Sequence, residues 1–144
     1  MLGGVEIPFT KGLLGHSDGD VMLHAVADAL LGALGLPDIG CLFPDTDVET
    51  EGIASALILR KAIGLMTKRR YRVGNADVVL LCEEPKISGY YPAIRKRLSV
   101  LLGVPPSRVG LKARTLEGMG DIGKGKAIAC MAIVSLAPCS RGRS

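Results

Sequence analysis

The sequence predicts an α/β fold of the two-layer α+β type, with about four strands in a mixed sheet and three helices laid on one face. Three observations carry this. Apolar periodicity follows the order β-α-α-β-α-β-β, which mixes parallel and antiparallel pairing and closes most economically as helices over one sheet. The chain has 144 residues, enough for one hydrophobic core and too few for two ordinary ones. Hydrophobic residues make up 48% of it, yet it holds only 2 Phe, 3 Tyr and no Trp, so the core is built from Leu, Ile, Val and Ala.

Each element has its own signal. Residues 2–9 read as a short strand containing a Gly-Gly, and residues 10–15 as a loop. From Asp20 onward, Val21, Leu23, Ala25, Val26, Leu30, Leu31 and Leu34 mark a largely buried helix, capped by Asp18 or Asp20 and stopped by Gly35 and Pro37. Residues 38–52 are rich in Asp, Pro, Thr and Gly and longer than a connection needs, which is the mark of a binding loop. A second helix spans 53–70 through Ala56, Leu57, Leu59, Ile63 and Met66, and a Val-rich strand spans 75–82. A third helix covers 91–102, ended by Gly103 and Pro105. A strand over 109–114, a Gly-rich loop over 115–126 read as a flexible lid, and an apolar strand over 127–136 complete the domain, which is expected to end at 137. Residues 138–144 read as a disordered tail. The last strand is apolar on both faces, so a sheet covered on one side needs a partner on the other, and oligomerisation is expected.

Composition removes several classes of function. The net charge of +4 comes from Lys68, Arg69, Arg70 and Arg72, from Arg95, Lys96 and Arg97, and from Arg141 and Arg143. Without interleaved aromatics to stack bases, these clusters read as solvated faces rather than a nucleic-acid site, and they favour small anions slightly. Cys41, Cys82, Cys130 and Cys139 have neither CxxC spacing nor a secretory signal ahead of them, which fits a reducing cytoplasm. No apolar run is long enough for a membrane span.

The chemistry concentrates in one stretch. His16 and His24, Ser17, and Asp18, Asp20, Asp28, Asp38, Asp45 and Asp47 fall between positions 16 and 47 of an otherwise apolar chain. So many polar groups are costly to fold around unless they hold a metal, a phosphate or a proton. On a helix starting near Asp20, His24 and Asp28 share a face with Asp20, so imidazole and carboxylates can converge. His24 is then a metal ligand backed by a carboxylate, or a buried histidine satisfied by Asp28; spacing does not decide. His16 lies before the helix N-terminus, where free N–H groups attract an anion, and reads either as a phosphate ligand or as a surface histidine. Lys86 after one strand, and Thr115 with Glu117 after the next, put a cation, a hydroxyl and a carboxylate at strand termini, where ligands bind. The glycines after 117 lack the order of a nucleotide P-loop.

Taken together, the segments Gly3-Gly-Val-Glu-Ile-Pro8, Lys11 to Asp20 with its Gly15-His-Ser-Asp-Gly-Asp20 core, His24, Asp28 to Gly32, Asp38-Ile-Gly40, Leu42-Phe-Pro-Asp-Thr-Asp47, Pro85-Lys86 and Lys112-Ala113 with Thr115 and Glu117 resemble the 2-C-methyl-D-erythritol 2,4-cyclodiphosphate synthase family. The resemblance covers nearly the whole chain. It implies a homotrimeric enzyme of the non-mevalonate isoprenoid pathway, a phosphorus-oxygen lyase with active sites between subunits. Its substrate is 4-diphosphocytidyl-2-C-methyl-D-erythritol 2-phosphate and its products are the cyclic diphosphate and CMP; an isoprenoid diphosphate is a further candidate ligand.

Carried over residue by residue, the resemblance makes His24 a zinc ligand and gives phosphate to His16 and Ser17. His16 and Thr115 stabilise the transition state. Asp38, Ile39, Gly40, Phe43, Pro44, Asp45, Thr46 and Asp47 bind the methylerythritol part. Cys82, Glu83, Glu84, Pro85, Lys86, Ile87 and Ser88 take the cytidine. Glu117 holds a second divalent ion, Mg2+ or Mn2+, with Arg114 and Leu116 beside it. Two departures stand in the loop: Arg114 replaces a small hydroxyl residue, and Asp121 and Lys124 stand where an aromatic and an Arg are common. Lys124 keeps the charge without the bidentate fork. The family also carries an Asp-x-His pair supplying two more zinc ligands, expected here to lie upstream of Met1. Two other classes stay open: a trimeric binder of cytidine nucleotides or isoprenoid diphosphates that lost zinc, and a Mg-dependent phosphohydrolase built on the Asp cluster.

Overall fold

A computed structural model describes residues 1–9, 19–44 and 54–141. Three helices of more than one turn, α1 (Val21–Ala33), α3 (Ser55–Lys68) and α4 (Tyr91–Leu102), lie on a sheet of β1 (Tyr71–Leu81), β2 (Val109–Arg114) and β3 (Ala129–Pro138). Two single-turn helices, α2 (Ile39–Leu42) and α5 (Gly120–Gly123), sit in the connections. The strand order is β2-β1-β3, with β1 parallel to β2 and antiparallel to β3. The sheet is therefore mixed as expected, but it has three strands among the described residues rather than four.

The missing strand has a local cause. Leu2 and Val5 exchange backbone hydrogen bonds of 2.9 and 3.0 Å across Gly3 and Gly4, whose φ values of 58° and 77° are those of a two-residue hairpin turn. The Gly-Gly that would only weaken a strand reverses the chain instead. A Cβ on Gly3 would stand 2.6 Å from Ile94 Cγ2, so the turn packs directly on α4 and has no room to extend into the sheet.

The other boundaries follow the chemistry of their ends. Asp20 is the N-cap of α1, accepting from the Leu23 amide at 3.1 Å. Gly103, at φ 68°, ends α4 in the left-handed conformation. β1 starts four residues earlier than periodicity indicated, because a bulge between Val73 and Asn75 resets the alternation while pairing continues to Tyr71 and Pro138. β3 correspondingly runs past the expected boundary at 137, and the Cys139 amide still donates to Arg70 O at 2.8 Å.

Alternation along the strands separates two faces. Val73, Ala76, Val78 and Leu80 of β1 point into a core shared with Leu23, Leu30, Leu31, Leu59, Ile94 and Leu98, all buried. The opposite face carries Val79 and Leu81 of β1 and Met131 and Ile133 of β3, and no element among the described residues covers it. Met131 is 64% and Ile133 77% exposed. No helix among the described residues is long and apolar enough to cross a membrane.

Candidate functional site

Parallel pairing puts the C-terminal ends of β1 and β2 side by side, with Leu81 opposite Arg114, and antiparallel pairing brings the start of β3, Ala129, to the same place. α1 begins there too. Asp20 lies close enough to Cys130 for its charge, added to burial as the larger cause, to push that thiol up to about 12. This is the end of an open α/β sheet where ligands bind.

Two loops leave it. After Cys82 the chain bends through a cis Glu84–Pro85 bond and enters a 3-10 turn at Ser88–Tyr90. The Cys82 thiol donates to Glu84 O at 2.7 Å, and burial is the main reason its pKa is raised. Ile87 is 2% exposed and anchors the loop in the core, whereas Glu84, Lys86 and Ser88 are exposed. Two of the expected cytidine contacts thus face inward: Ile87 is a core residue, and Cys82 spends its proton inside its own loop.

The second loop carries Thr115 and Glu117, both exposed. Thr115 Oγ1 accepts from the Glu117 amide at 3.4 Å, and Glu117 has a left-handed φ of 53°, uncommon for a residue with a side chain. Past it, the stretch expected as a flexible lid is closed by consecutive backbone bonds: Gly123 N to Met119 O, Lys124 N to Gly120 O, Gly125 N to Ile122 O and Lys126 N to Asp121 O, each 2.9 to 3.0 Å. Four glycines supply the tight turns, and α5 forms where sequence showed only irregular chain. Gly123 lies so close to Gly118 that a Cβ would fall 2.4 Å from its carbonyl carbon. Gly123→Ala is therefore expected to cost about 1–3 kcal/mol in thermal unfolding and to displace the Glu117 turn. Asp121 and Lys124 are exposed on this loop, and Arg114 is exposed at the end of β2.

Among the described residues, the carboxylates of Asp20, Asp28 and Asp38 each go to a different backbone segment. Asp20 is fully buried and accepts from the amides of Gly3 at 2.9 Å and Gly4 at 2.7 Å besides Leu23. As N-cap it is not yet helical, so its side chain turns back on the backbone instead of along the helix face. Asp28 accepts from the Ile39 amide at 2.8 Å, and Asp38 caps α2 through the Cys41 amide at 2.9 Å. A hydrogen bond between the Cys41 thiol and the Asp38 carboxylate, and then the carboxylate's charge, raise the Cys41 pKa. His24 Nε2 sits 2.8 Å from Ser55 Oγ, so one of its partners comes from α3. Ile39 and Gly40 form α2, and Phe43 lies under Lys61 of α3, whose ammonium is 5.4 Å from the ring centroid; Pro44 follows it. His16, Ser17 and Asp18, and Asp45, Thr46 and Asp47, lie outside the described residues.

Among the described residues no group of three or more His, Cys, Asp or Glu side chains could hold a metal ion. A closed zinc site needs three or four such donors, so His24 alone does not fit one. Glu117 is different: a single exposed carboxylate suffices for a magnesium-like ion whose other ligands are phosphate oxygens and water.

Ser55 is the partner that sequence reading missed, and Glu83, expected beside the cytidine, also accepts from the Leu116 amide. Ser55 is fully buried and polar, a signal in hindsight, but nothing in the sequence says that it faces a residue 31 positions away.

The sequence matches the model of the YgbB family over residues 1–137. It is 50% identical over 137 residues to the 2-C-methyl-D-erythritol 2,4-cyclodiphosphate synthase of Symbiobacterium thermophilum, covering 95% of this chain and 87% of that one. Among solved structures it is similar to IspF of Plasmodium falciparum in a CDP complex, at a TM-score of 0.82 and 40% identity over 96% of this chain and 83% of that one. A CDP-bound 2C-methyl-D-erythritol-2,4-cyclodiphosphate synthase aligns at a TM-score of 0.88 and 40% identity, over 95% and 89% of the two chains.

Proposed function

Because the chain belongs to the YgbB family, with which it shares residues 1–137, we propose that it converts 4-diphosphocytidyl-2-C-methyl-D-erythritol 2-phosphate to 2-C-methyl-D-erythritol 2,4-cyclodiphosphate and CMP. An oxygen of the 2-phosphate attacks the β-phosphorus, the bond from that phosphorus to the α-phosphate oxygen breaks, and CMP leaves; no water enters. The observation that carries this reading is the adjacency of two loops at one sheet end, one of the kind that takes a nucleotide and one bearing Thr115 and Glu117. Such a transfer depends on positioning and charge neutralisation rather than on covalent help from the protein.

In this reading the loop over residues 82–88 presents backbone groups and Lys86 to the cytidine, held in place by Ile87. Thr115 donates its hydroxyl to a phosphate oxygen as charge builds there. Glu117 would hold Mg2+ or Mn2+, which would neutralise charge on the diphosphate. His16 and Ser17 take phosphate, while Asp38 and the stretch from Phe43 to Asp47 take the methylerythritol. Asp38 is exposed, and its carboxylate, which accepts the Cys41 amide through Oδ1, has further lone pairs for a substrate hydroxyl. A zinc ion at His24 would need donors beyond those described, and no step is drawn through it.

A homotrimer with its sites between subunits belongs to the same proposal, supported by the uncovered Met131 and Ile133 on a face that an isolated chain leaves to water. The free state of Cys41, Cys82, Cys130 and Cys139 suits a reducing cytoplasm.

The test is incubation with the diphosphocytidyl substrate and Mg2+ or Mn2+, followed by chromatography. Stoichiometric CMP without orthophosphate is expected. Orthophosphate release would favour a phosphohydrolase, and binding of CMP with no turnover would favour a binding protein that shares the fold.

A further inference from the structure

We propose that Glu83 is a positioning residue that fixes the Thr115 and Glu117 loop from across the sheet, a role that rests on the reading of that loop as the phosphate-handling part of the site. The parallel ladder of β1 and β2 ends with the Cys82 amide donating to Arg114 O at 2.9 Å. Its next rung would carry the Leu116 amide to the Cys82 carbonyl. The chain has already bent away after Cys82, and the Leu116 amide donates instead to Glu83 Oε1 at 2.6 Å. A carboxylate thus replaces a backbone carbonyl and extends the pairing by one rung.

What this rung holds is the middle of the working loop. Leu116 stands between the hydroxyl of Thr115 and the carboxylate of Glu117. The loop's own tie, from the Glu117 amide to Thr115 Oγ1, is long at 3.4 Å, and Glu117 is held at a left-handed φ of 53°. A bond to an ionised acceptor is about twice as strong as one between neutral groups, so Glu83 is the firmer fastening. It is also half-buried, and it starts the very loop assigned to the cytidine. Glu83 therefore couples the two loops and sets how Thr115 and Glu117 stand relative to the nucleotide. It does not itself read the base.

The experiment compares wild type with Glu83→Ala, Glu83→Gln and Glu83→Asp by three readouts: the amide proton shift of Leu116 in 15N-labelled protein, the Kd for CMP, and steady-state CMP release. Wild type should show a downfield Leu116 amide that moves upfield in Glu83→Ala. It should move equally in Glu83→Asp, which keeps the charge but loses the reach, and about half as far in Glu83→Gln, which keeps an acceptor oxygen. In the same order kcat should fall about 10- to 100-fold for Ala and Asp and less for Gln, the size expected of a misplacement below 1 Å. KM and the Kd for CMP should stay within about twofold, since lost positioning lowers kcat without removing ground-state contacts. A Leu116 amide that does not respond overturns the proposal. So do a kcat left unchanged, a Kd for CMP that rises in step with the loss of activity, and an Asp variant that behaves as wild type. Absence of CMP release from wild type would count against the proposed reaction alone, because the amide shift reports the tie without turnover.

Discussion

Asp20→Ala is expected to lower the unfolding free energy by about 3–4 kcal/mol, because it strips the acceptor from three amides, each orphaned buried donor costing about 1–3 kcal/mol before relaxation. The carboxylate is fully buried and bonds Gly3, Gly4 and Leu23, so it joins the N-terminal turn to the start of α1. For a chain of this length that corresponds to a fall in Tm of about 10 °C, read by circular dichroism. Asp20→Asn keeps one acceptor oxygen and should lose about half as much. His24 lies one turn further along α1, with Nε2 on Ser55, so loosening the cap also loosens the helix that carries this imidazole. A melting temperature unchanged in the Ala variant would mean that the turn and the helix are not joined through this side chain.

Ile133→Asp should leave the subunit folded and take the assembly apart. Ile133 is 77% exposed in the single chain, opposite Asp77 on β1 and two residues from Met131, so an aspartate there meets water as long as the chain is alone. In an assembly that buries this face, the same carboxylate is desolvated without a partner in every copy, beside the carboxylate of Asp77. The variant is expected to elute as a monomer with an unchanged far-ultraviolet spectrum. Its CMP release should fall at least about 100-fold, since in the proposed trimer a site shared between copies loses its geometry and a displacement of 1 Å alone costs that much. A variant that stays assembled and active would place the subunit contacts elsewhere. The Lys112–Asp77 ion pair lies on the same open face.

Sequence reading found the elements whose ends carry strong local chemistry. Helix α4 and strand β2 came out with their observed limits because Gly103 and the prolines that follow leave the chain few alternatives. The strand expected over 2–9 failed for a related reason read the wrong way. A Gly-Gly pair flanked by apolar residues is as good a turn as a flaw in a strand, and only the three-dimensional neighbours, Ile94 and Asp20, choose between them. The early start of β1 was hidden by Arg72 and by a bulge, which breaks the alternation that identifies strands.

The candidate site was legible as a set of positions but not as a set of contacts. Lys86, Thr115 and Glu117 stand at neighbouring strand ends as their places in sequence implied. Of the aspartates in the acid-rich stretch, the three among the described residues are separate backbone tethers: Asp20 at Gly3, Gly4 and Leu23, Asp28 at Ile39 and Asp38 at Cys41. Helical spacing gives the direction of a side chain but not the partner waiting for it, and amide groups of nearby turns compete for every short carboxylate. Glu83 stands in the loop expected to take the nucleotide, and nothing in the sequence signals that its Oε1 accepts from an amide 33 positions away.

Phosphorus NMR of the reaction mixture tests the central claim most directly. With the diphosphocytidyl substrate and Mg2+, the account predicts one resonance from CMP and two mutually coupled resonances from a cyclic diphosphate, growing together at equal rates with no orthophosphate. Orthophosphate in place of the coupled pair, or a substrate spectrum unchanged by protein whose fold and assembly are intact, would contradict it.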